Sequence, residues 1–367
     1  MNRIGFPVCA CLLATLVTSV RIERTFDVGD GRLQRFVVRD SRVFVGGVDA
    51  LFVLDTDLTQ LASAVTGPIP DNLDCTLLRE PRCTDVPLVD TSNSNRVLLP
   101  LNDDVILACG SVLQGTCQLR NATTLTVVQE FLSPTVEDAF ALPTDDDEYQ
   151  TLAMLVDGPV CMSGSVLPLQ TQQVLFKAMS ERHLSDRRNN LVTEISFAAS
   201  HLLPTAERDS LQLLNSVGGE TMTNWFDRDP ALDRVVRSVF EHDGFLYFVF
   251  VDVAAGLTSH IARVCTRDCR YDSYFDIPLT CSDNLVQDAT FAHVGSDLAV
   301  QLGVDATEQV LVTSYRSADD INGYGSNSQI CVFTMSEIQE KFIENIEVRA
   351  HSVSTILACA MLSMPVL

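Results

Sequence analysis

Cys109 and Cys117 stand eight residues apart in Ala108-Cys109-Gly110-Ser111-Val112-Leu113-Gln114-Gly115-Thr116-Cys117, directly after the strand-like run Asp104-Val105-Ile106-Leu107. The chemistry this spacing supports is oxidation, because it suits a hairpin closed by a short disulfide. Eight further cysteines are spread along the chain after its first twenty residues: Cys75, Cys83, Cys161, Cys265, Cys269, Cys281, Cys331 and Cys359. There is no C-x-x-C pair, and the six histidines are scattered, so no metal site is expected. Asp145-Asp146-Asp147-Glu148 is a contiguous acidic run. A calcium loop needs ligands that alternate, so this run reads as a solvated loop. No G-x-S-x-G, H-E-x-x-H or P-loop pattern occurs. The sequence therefore predicts no catalytic residue, no cofactor and no enzymatic activity.

Charge and targeting narrow the class. The 367 residues include 48 acidic and 25 basic ones, and just two of the basic residues, Lys177 and Lys341, are lysines. A net charge of −23 leaves no basic stripe for phosphates, so nucleic acid is excluded as a partner. Arg3 followed by the apolar run Ile4–Val17, with small residues at Val17 and Ser19, reads as a signal peptide over residues 1–19. The competing reading, a membrane anchor, is disfavoured by the shortness of the run. A signal peptide places the cysteines in an oxidising compartment, secreted or on the extracellular side of the plasma membrane. One sequon, Asn121-Ala122-Thr123, fits a glycosylated surface turn.

The elements that position these residues are short strands. Gln34–Val38, Arg42–Gly47, Ala50–Asp55 and Leu61–Val65 form an antiparallel meander with tight connections. Similar sets are read at 95–130, 137–180, 234–278 and 287–334, and Gly244–Val251 is almost continuously apolar, as expected of a strand covered on both faces. Five four-stranded units at this cadence suggest an all-β propeller, and a pair of β-sandwiches is the alternative. Two polar stretches, 180–190 and 216–233, interrupt the cadence as long loops. Ser336–Ile343 reads as a short helix with Ser336 as its N-cap. The apolar stretch 352–367 reads as a tail unrelated to the fold.

Several segments resemble the sema domain of plexins, the cell-surface receptors for semaphorins. Val43-Phe44-Val45-Gly46-Gly47-Val48-Asp49-Ala50-Leu51-Phe52 is similar to the family's first-blade segment. Thr66-Gly67-Pro68 with Asp71-Asn72-Leu73-Asp74-Cys75 is similar to its T-G-P…D-N-x-x-C stretch. Arg263-Val264-Cys265-Thr266-Arg267-Asp268, Tyr274–Cys281 and Gln329–Ile338 resemble later motifs in the same order. Semaphorins share several of these, but the T-G-P stretch and the Cys109–Cys117 spacing lean towards plexin.

The resemblance implies a sema-type seven-bladed propeller, present here as about five four-stranded blades over residues 20–342, with 343–367 outside it. It implies the disulfides Cys75–Cys83, Cys109–Cys117 and Cys281–Cys331, and leaves Cys161, Cys265, Cys269 and Cys359 without assigned partners. A Cys265–Cys269 link or one to Cys161 fits. It also implies a receptor-type module that binds a semaphorin-type protein, in a family whose full-length members are membrane-anchored and can self-associate. The candidate contact residues are Arg182, Arg187, Arg188, Trp225 and Arg228, in the two long loops. With the sixth and seventh blades lacking, open apolar faces and weak or no semaphorin binding are expected of the chain as written, and Arg21–Val28 is expected as a strand without its partners. The alternatives are a semaphorin-like secreted ligand and a secreted propeller hydrolase.

Overall fold

Asp243 and Gly244 take φ values of 48° and 75°, which lets a two-residue turn reverse the chain between long strands without splaying them. Reversals of this kind build five successive antiparallel sheets. In the computed structural model of the chain, the residues described are 24–28, 31–72, 87–113, 116–131, 151–160, 170–180, 197–203, 212–213, 234–252, 257–268, 273–281, 284–317 and 328–348.

The first sheet has β1 (Leu33–Arg39), β2 (Arg42–Gly47), β3 (Ala50–Leu54) and β4 (Gln60–Val65) in that order. A two-stranded ribbon, β5 (Ile69–Asp71) with β6 (Val89–Thr91), leads to the second sheet. That sheet holds β7 (Asn95–Pro100), β8 (Val105–Gly110), β9 (Cys117–Asn121) and β10 (Val127–Phe131). The third holds β11 (Thr151–Val160), β12 (Gln170–Ser180), β13 (Phe197–Leu203) and β14 (Gln212–Leu213). The fourth holds β15 (Arg234–His242), β16 (Phe245–Asp252), β17 (Thr258–Cys265) and β18 (Phe275–Pro278). The fifth starts with β19 (Asn284–His293), passes through α1 (Ser296–Leu302), returns as β20 (Gln309–Ser317) and β21 (Ser328–Thr334), and exits into α2 (Met335–Val348). The first strands of consecutive sheets lie side by side, β1 by β7, β7 by β11, β11 by β15 and β15 by β19. The sheets are thus blades of a propeller, with their first strands forming the inner rim.

Blade faces bury one another. Phe44, Leu51 and Val53 pack on Ile106, Ala108 and Leu125. In β16 the apolar run divides by parity: Leu246, Phe248 and Phe250 join Phe176 and Ala178 of the third blade, whereas Tyr247, Val249 and Val251 join Val286, Leu311 and Tyr315 of the fifth. That explains why the run has no polar alternation. Each fully buried side chain of this size contributes on the order of 1.5–3 kcal/mol.

The structure differs from the sequence-based expectation at four places. The fifth blade has three strands among the described residues, because the chain leaving β21 turns into α2, whose Ile338 and Phe342 cover the seam with the fourth blade. The helix is capped by Thr334, not Ser336: Glu337 N donates to Thr334 Oγ1 and the Glu337 carboxylate accepts from Thr334 N and Oγ1, a capping box. It runs on past Ile343 to Val348. The third blade does not end at the expected 180, because β13 and β14 extend its sheet to Leu213, and the expected opening stretch 137–150 lies outside the described residues. Residues 24–28 form no strand and lie on the first blade, with Phe26 edge-on to Phe52 at 5.2 Å and Arg24 paired with Asp57 at 2.7 Å.

Four of the five inner strands share one irregularity. β1, β7, β15 and β19 each carry a bulge in their first half, where Gln34, Arg96, Arg237 and Gln287 have no opposite residue. All four extra residues are long and polar. The outer strands β4 and β10 also bulge, but there the extra residues are Leu61 and Val128, both exposed.

Candidate functional site

The motif residues of the first half meet at one place, the junction of the first two blades. Asp49 sits in the β2–β3 turn with φ 63°, a conformation that suits Asp better than bulky residues. Its Oδ1 accepts from Asn93 N at 2.6 Å, its own N donates to Asn93 O, and its O accepts from Thr66 N at 2.8 Å. The Asn93 amide donates to Thr66 O at 2.9 Å and accepts from Ser111 N at 3.0 Å. Four chain segments are therefore tied through one carboxylate and one amide. Gly67 and Gly110 are required here: a Cβ on Gly67 would strike Asp49 Oδ1, and one on Gly110 would strike the Asn93 amide. The Gly67–Pro68 bond is cis. Asp71 is fully buried and accepts from Asn72 N at 2.7 Å and Leu113 N at 2.9 Å.

These carboxylates are occupied by backbone amides, so the junction is a structural knot, not a catalytic centre. A cavity of about 250 Å³ lies beside it, with Leu51, Val65, Asn95, Gln118 and Arg120 in its wall. Arg120 is buried and donates to Leu125 O at 2.7 Å and to Gln118 Oε1. Among the described residues no group of three or more metal-ligating side chains forms.

Cys109 and Cys117 lie directly opposite each other across β8 and β9 and are disulfide-bonded. Both are buried, with Leu107 and Leu175, so the hairpin bond faces the third blade. Cys281 and Cys331 are also bonded and join the exit of the fourth blade to the fifth. Cys265 is disulfide-bonded to a cysteine outside the described residues. Cys75, Cys83, Cys161, Cys269 and Cys359 lie outside them too, as do all five loop candidates, Arg182, Arg187, Arg188, Trp225 and Arg228.

Asn121 is described. It ends β9, and its Oδ1 accepts from Thr123 N and Thr124 N at 2.9 Å each and from Thr124 Oγ1. Its amide nitrogen, the atom a glycan would take, makes no hydrogen bond among the described residues. Arg42 donates to Thr123 Oγ1 at 2.9 Å.

Sequence reasoning missed two features of the fourth blade. His260 bridges Thr258 Oγ1 and Asp276 Oδ2, each at 3.0 Å. The order hydroxyl, imidazole, carboxylate is that of a catalytic triad, but the ring is stacked on Phe250 at 5.4 Å and the three groups fasten β18 to β17. The separation of 16 residues between His260 and Asp276 gives no local signal. Arg263 is the second: it is buried, with its guanidinium 4.5 Å from the ring centroids of both Phe245 and Phe342.

No family model matches the chain. It is 30% identical over 362 residues to mouse Plexin-A3, an alignment that covers 89% of this chain and 18% of that protein. Among solved structures it matches the Plexin A4 full extracellular region with a TM-score of 0.63 and 23% identity, covering 85% of this chain and 35% of that one. The chain is thus similar in sequence to a plexin and shares the fold of one. Drosophila Plexin A in complex with Semaphorin 1b is a further fold match, with a TM-score of 0.50 at 14% identity, over 85% of this chain and 53% of that one. The plexin-like chain spans less than a fifth of the length of the curated plexin it aligns with. Among its described residues no helix is long and apolar enough to cross a membrane.

Proposed function

We propose that the chain is an extracellular, plexin-type receptor module whose work is protein contact: it binds a semaphorin-type ligand in cell-guidance signalling. The observation that carries this reading is the 30% identity to mouse Plexin-A3 across 89% of the chain. A plexin-type neighbour in fold is a Drosophila Plexin A solved with Semaphorin 1b bound. The blade interiors are apolar and the junction carboxylates are held by amides, which leaves loops to make the contacts. We assign residues 1–19 as the leader and the module from residue 20 onward. Its far bound is assigned at residue 342, inside α2, which continues to Val348. Arg182, Arg187, Arg188, Trp225 and Arg228 are the proposed contact residues, and their arginine-rich character suits an acidic partner surface.

The test is surface plasmon resonance of the secreted chain against a panel of semaphorin ectodomains, with a double Arg187→Glu, Arg188→Glu variant alongside. Saturable binding that the variant loses, even if weak, supports the reading. A cooperatively folded chain that binds none of the panel overturns it.

A further inference from the structure

The sequon Asn121-Ala122-Thr123 lies in the turn between β9 and β10, and the packed chain holds each of its three residues. Asn121 N donates to Thr126 O and Asn121 O accepts from Leu125 N, each at 2.9 Å, so the turn is closed on both sides. Ala122 is 1% exposed, and its N donates to Asp104 O at 2.7 Å. It belongs to the cluster that Phe44, Leu51 and Val53 of the first blade build with Ile106 and Leu125 of the second. Thr123 Oγ1 accepts from Arg42 Nη1 at 2.9 Å, and the same nitrogen donates to Ala122 O at 3.4 Å. Arg42 opens β2, so a side chain of the first blade reaches across the seam to the sequon hydroxyl.

N-glycosylation requires serine or threonine two residues after the asparagine, so the transferase reads that hydroxyl together with the amide. It must therefore reach around the tripeptide, middle residue included. In the packed chain a guanidinium from the other blade occupies the hydroxyl, and the middle residue is inside the seam. The acceptor nitrogen is open, but the group that identifies it is not. In the transfer, Asn121 Nδ2 attacks the anomeric carbon of a lipid-diphosphate-linked oligosaccharide. The C–N bond forms as the C–O bond to the diphosphate breaks, the amide proton passes to a base of the transferase, and the lipid diphosphate leaves. We propose that Asn121 is a substrate only until the first two blades pack, and that Arg42, by taking the Thr123 hydroxyl, closes this window. A glycan already in place survives the packing, because the nitrogen that carries it has no bond to lose. The proposal rests on residues 1–19 acting as a leader, which brings the chain to the transferase, and not on semaphorin binding.

The experiment has two arms. In the first, the full chain is translated into microsomes and the modified fraction is read by mass. The wild type should be modified in part. Arg42→Ala should raise the ratio of modified to unmodified chain about threefold or more, the effect of one lost hydrogen bond on a docking equilibrium. Arg42→Lys keeps a donor and should stay near the wild type. Phe44→Ala, which loosens the seam, and dithiothreitol, which keeps the Cys109–Cys117 hairpin unlinked, should each bring modification close to completion. Misfolding of Phe44→Ala does not confuse this readout, since modification and not folding is scored. In the second arm, purified transferase and lipid-linked oligosaccharide are given to the full chain made without glycans, either folded or reduced and alkylated. Transfer to the unfolded form alone is expected. This arm needs no leader, so a chain that fails to enter microsomes counts against residues 1–19 while the second arm still judges the window. Equal transfer to both forms, or transfer to neither, overturns the proposal. So does a modified fraction that Arg42→Ala and Phe44→Ala both leave at the wild-type value.

Discussion

The Arg263 guanidinium lies 4.5 Å from the ring centroid of Phe342, so a strand of the fourth blade grips the helix that leaves the fifth. Phe342 is fully buried and also meets Tyr247 and Phe275 edge-on. Phe342→Ala should therefore cost about 3 kcal/mol or more, from lost burial and the cavity left behind. Urea denaturation measures it, and a loss below about 1 kcal/mol would show that α2 is a passive appendage.

The Cys109–Cys117 bond closes a short loop across neighbouring strands. Replacing both cysteines with serine should lower stability by about 2–3 kcal/mol. Non-reducing peptide mapping of the secreted chain should recover the two as one linked peptide, and an alkylated Cys109 or Cys117 would contradict this.

Asn121 should carry a glycan, because its amide nitrogen is left open while the turn holds its carbonyl. Treatment with an N-glycosidase should reduce the mass of the secreted chain. The Asn121→Gln variant should show no such change.

Among the described residues, apolar side chains stand exposed on two blade faces. Phe36 is 76% and Val38 60% exposed on the first blade, and Ile330 is 75% and Val332 39% exposed on the fifth. Apolar clusters of this kind promote association. Phe36→Ser combined with Ile330→Ser should shift the chain towards monomer in size-exclusion chromatography with light scattering, without lowering its Tm. An unchanged elution profile would place the sticky surface elsewhere.

Buried phenols set an alkaline limit. Burial pushes Tyr315 up to about 12, against a weaker opposing hydrogen bond from Thr313, and burial also raises Tyr247 and Tyr274. A phenol whose folded pKa exceeds its unfolded value stabilises the fold fully below about pH 10, and that contribution disappears as pH rises through the folded value. Ultraviolet titration should thus show a late tyrosinate component near pH 12 that moves down to about pH 10 in denaturant. A single transition near pH 10 under native conditions would count against it.

What was legible in the sequence was the part written locally. The β16 run advertised a strand covered on both faces, and the Cys109–Cys117 spacing advertised its hairpin. The T-G-P motif was readable as a signature but not as a cause, since the partner that explains Gly67, Asp49, lies in another strand connection. Bulges were invisible because a bulge exists only relative to a partner strand: Arg237 in isolation is one more polar residue in an apolar stretch. The helix cap was misplaced by two residues because serine is by type the better cap, whereas the reciprocal bonds between Thr334 and Glu337 decide for Thr334.

Arg35 has a consequence for the order of assembly. It reaches from β1 to Arg96 O at 3.3 Å and to Thr151 O at 3.4 Å, contacts that span 61 and 116 residues of sequence. The first bond needs the second blade beside the first, and the other needs the third blade there as well. The side chain that begins the inner rim is therefore among the last to settle, and it works as a clasp that fastens fully only when three blades stand in place.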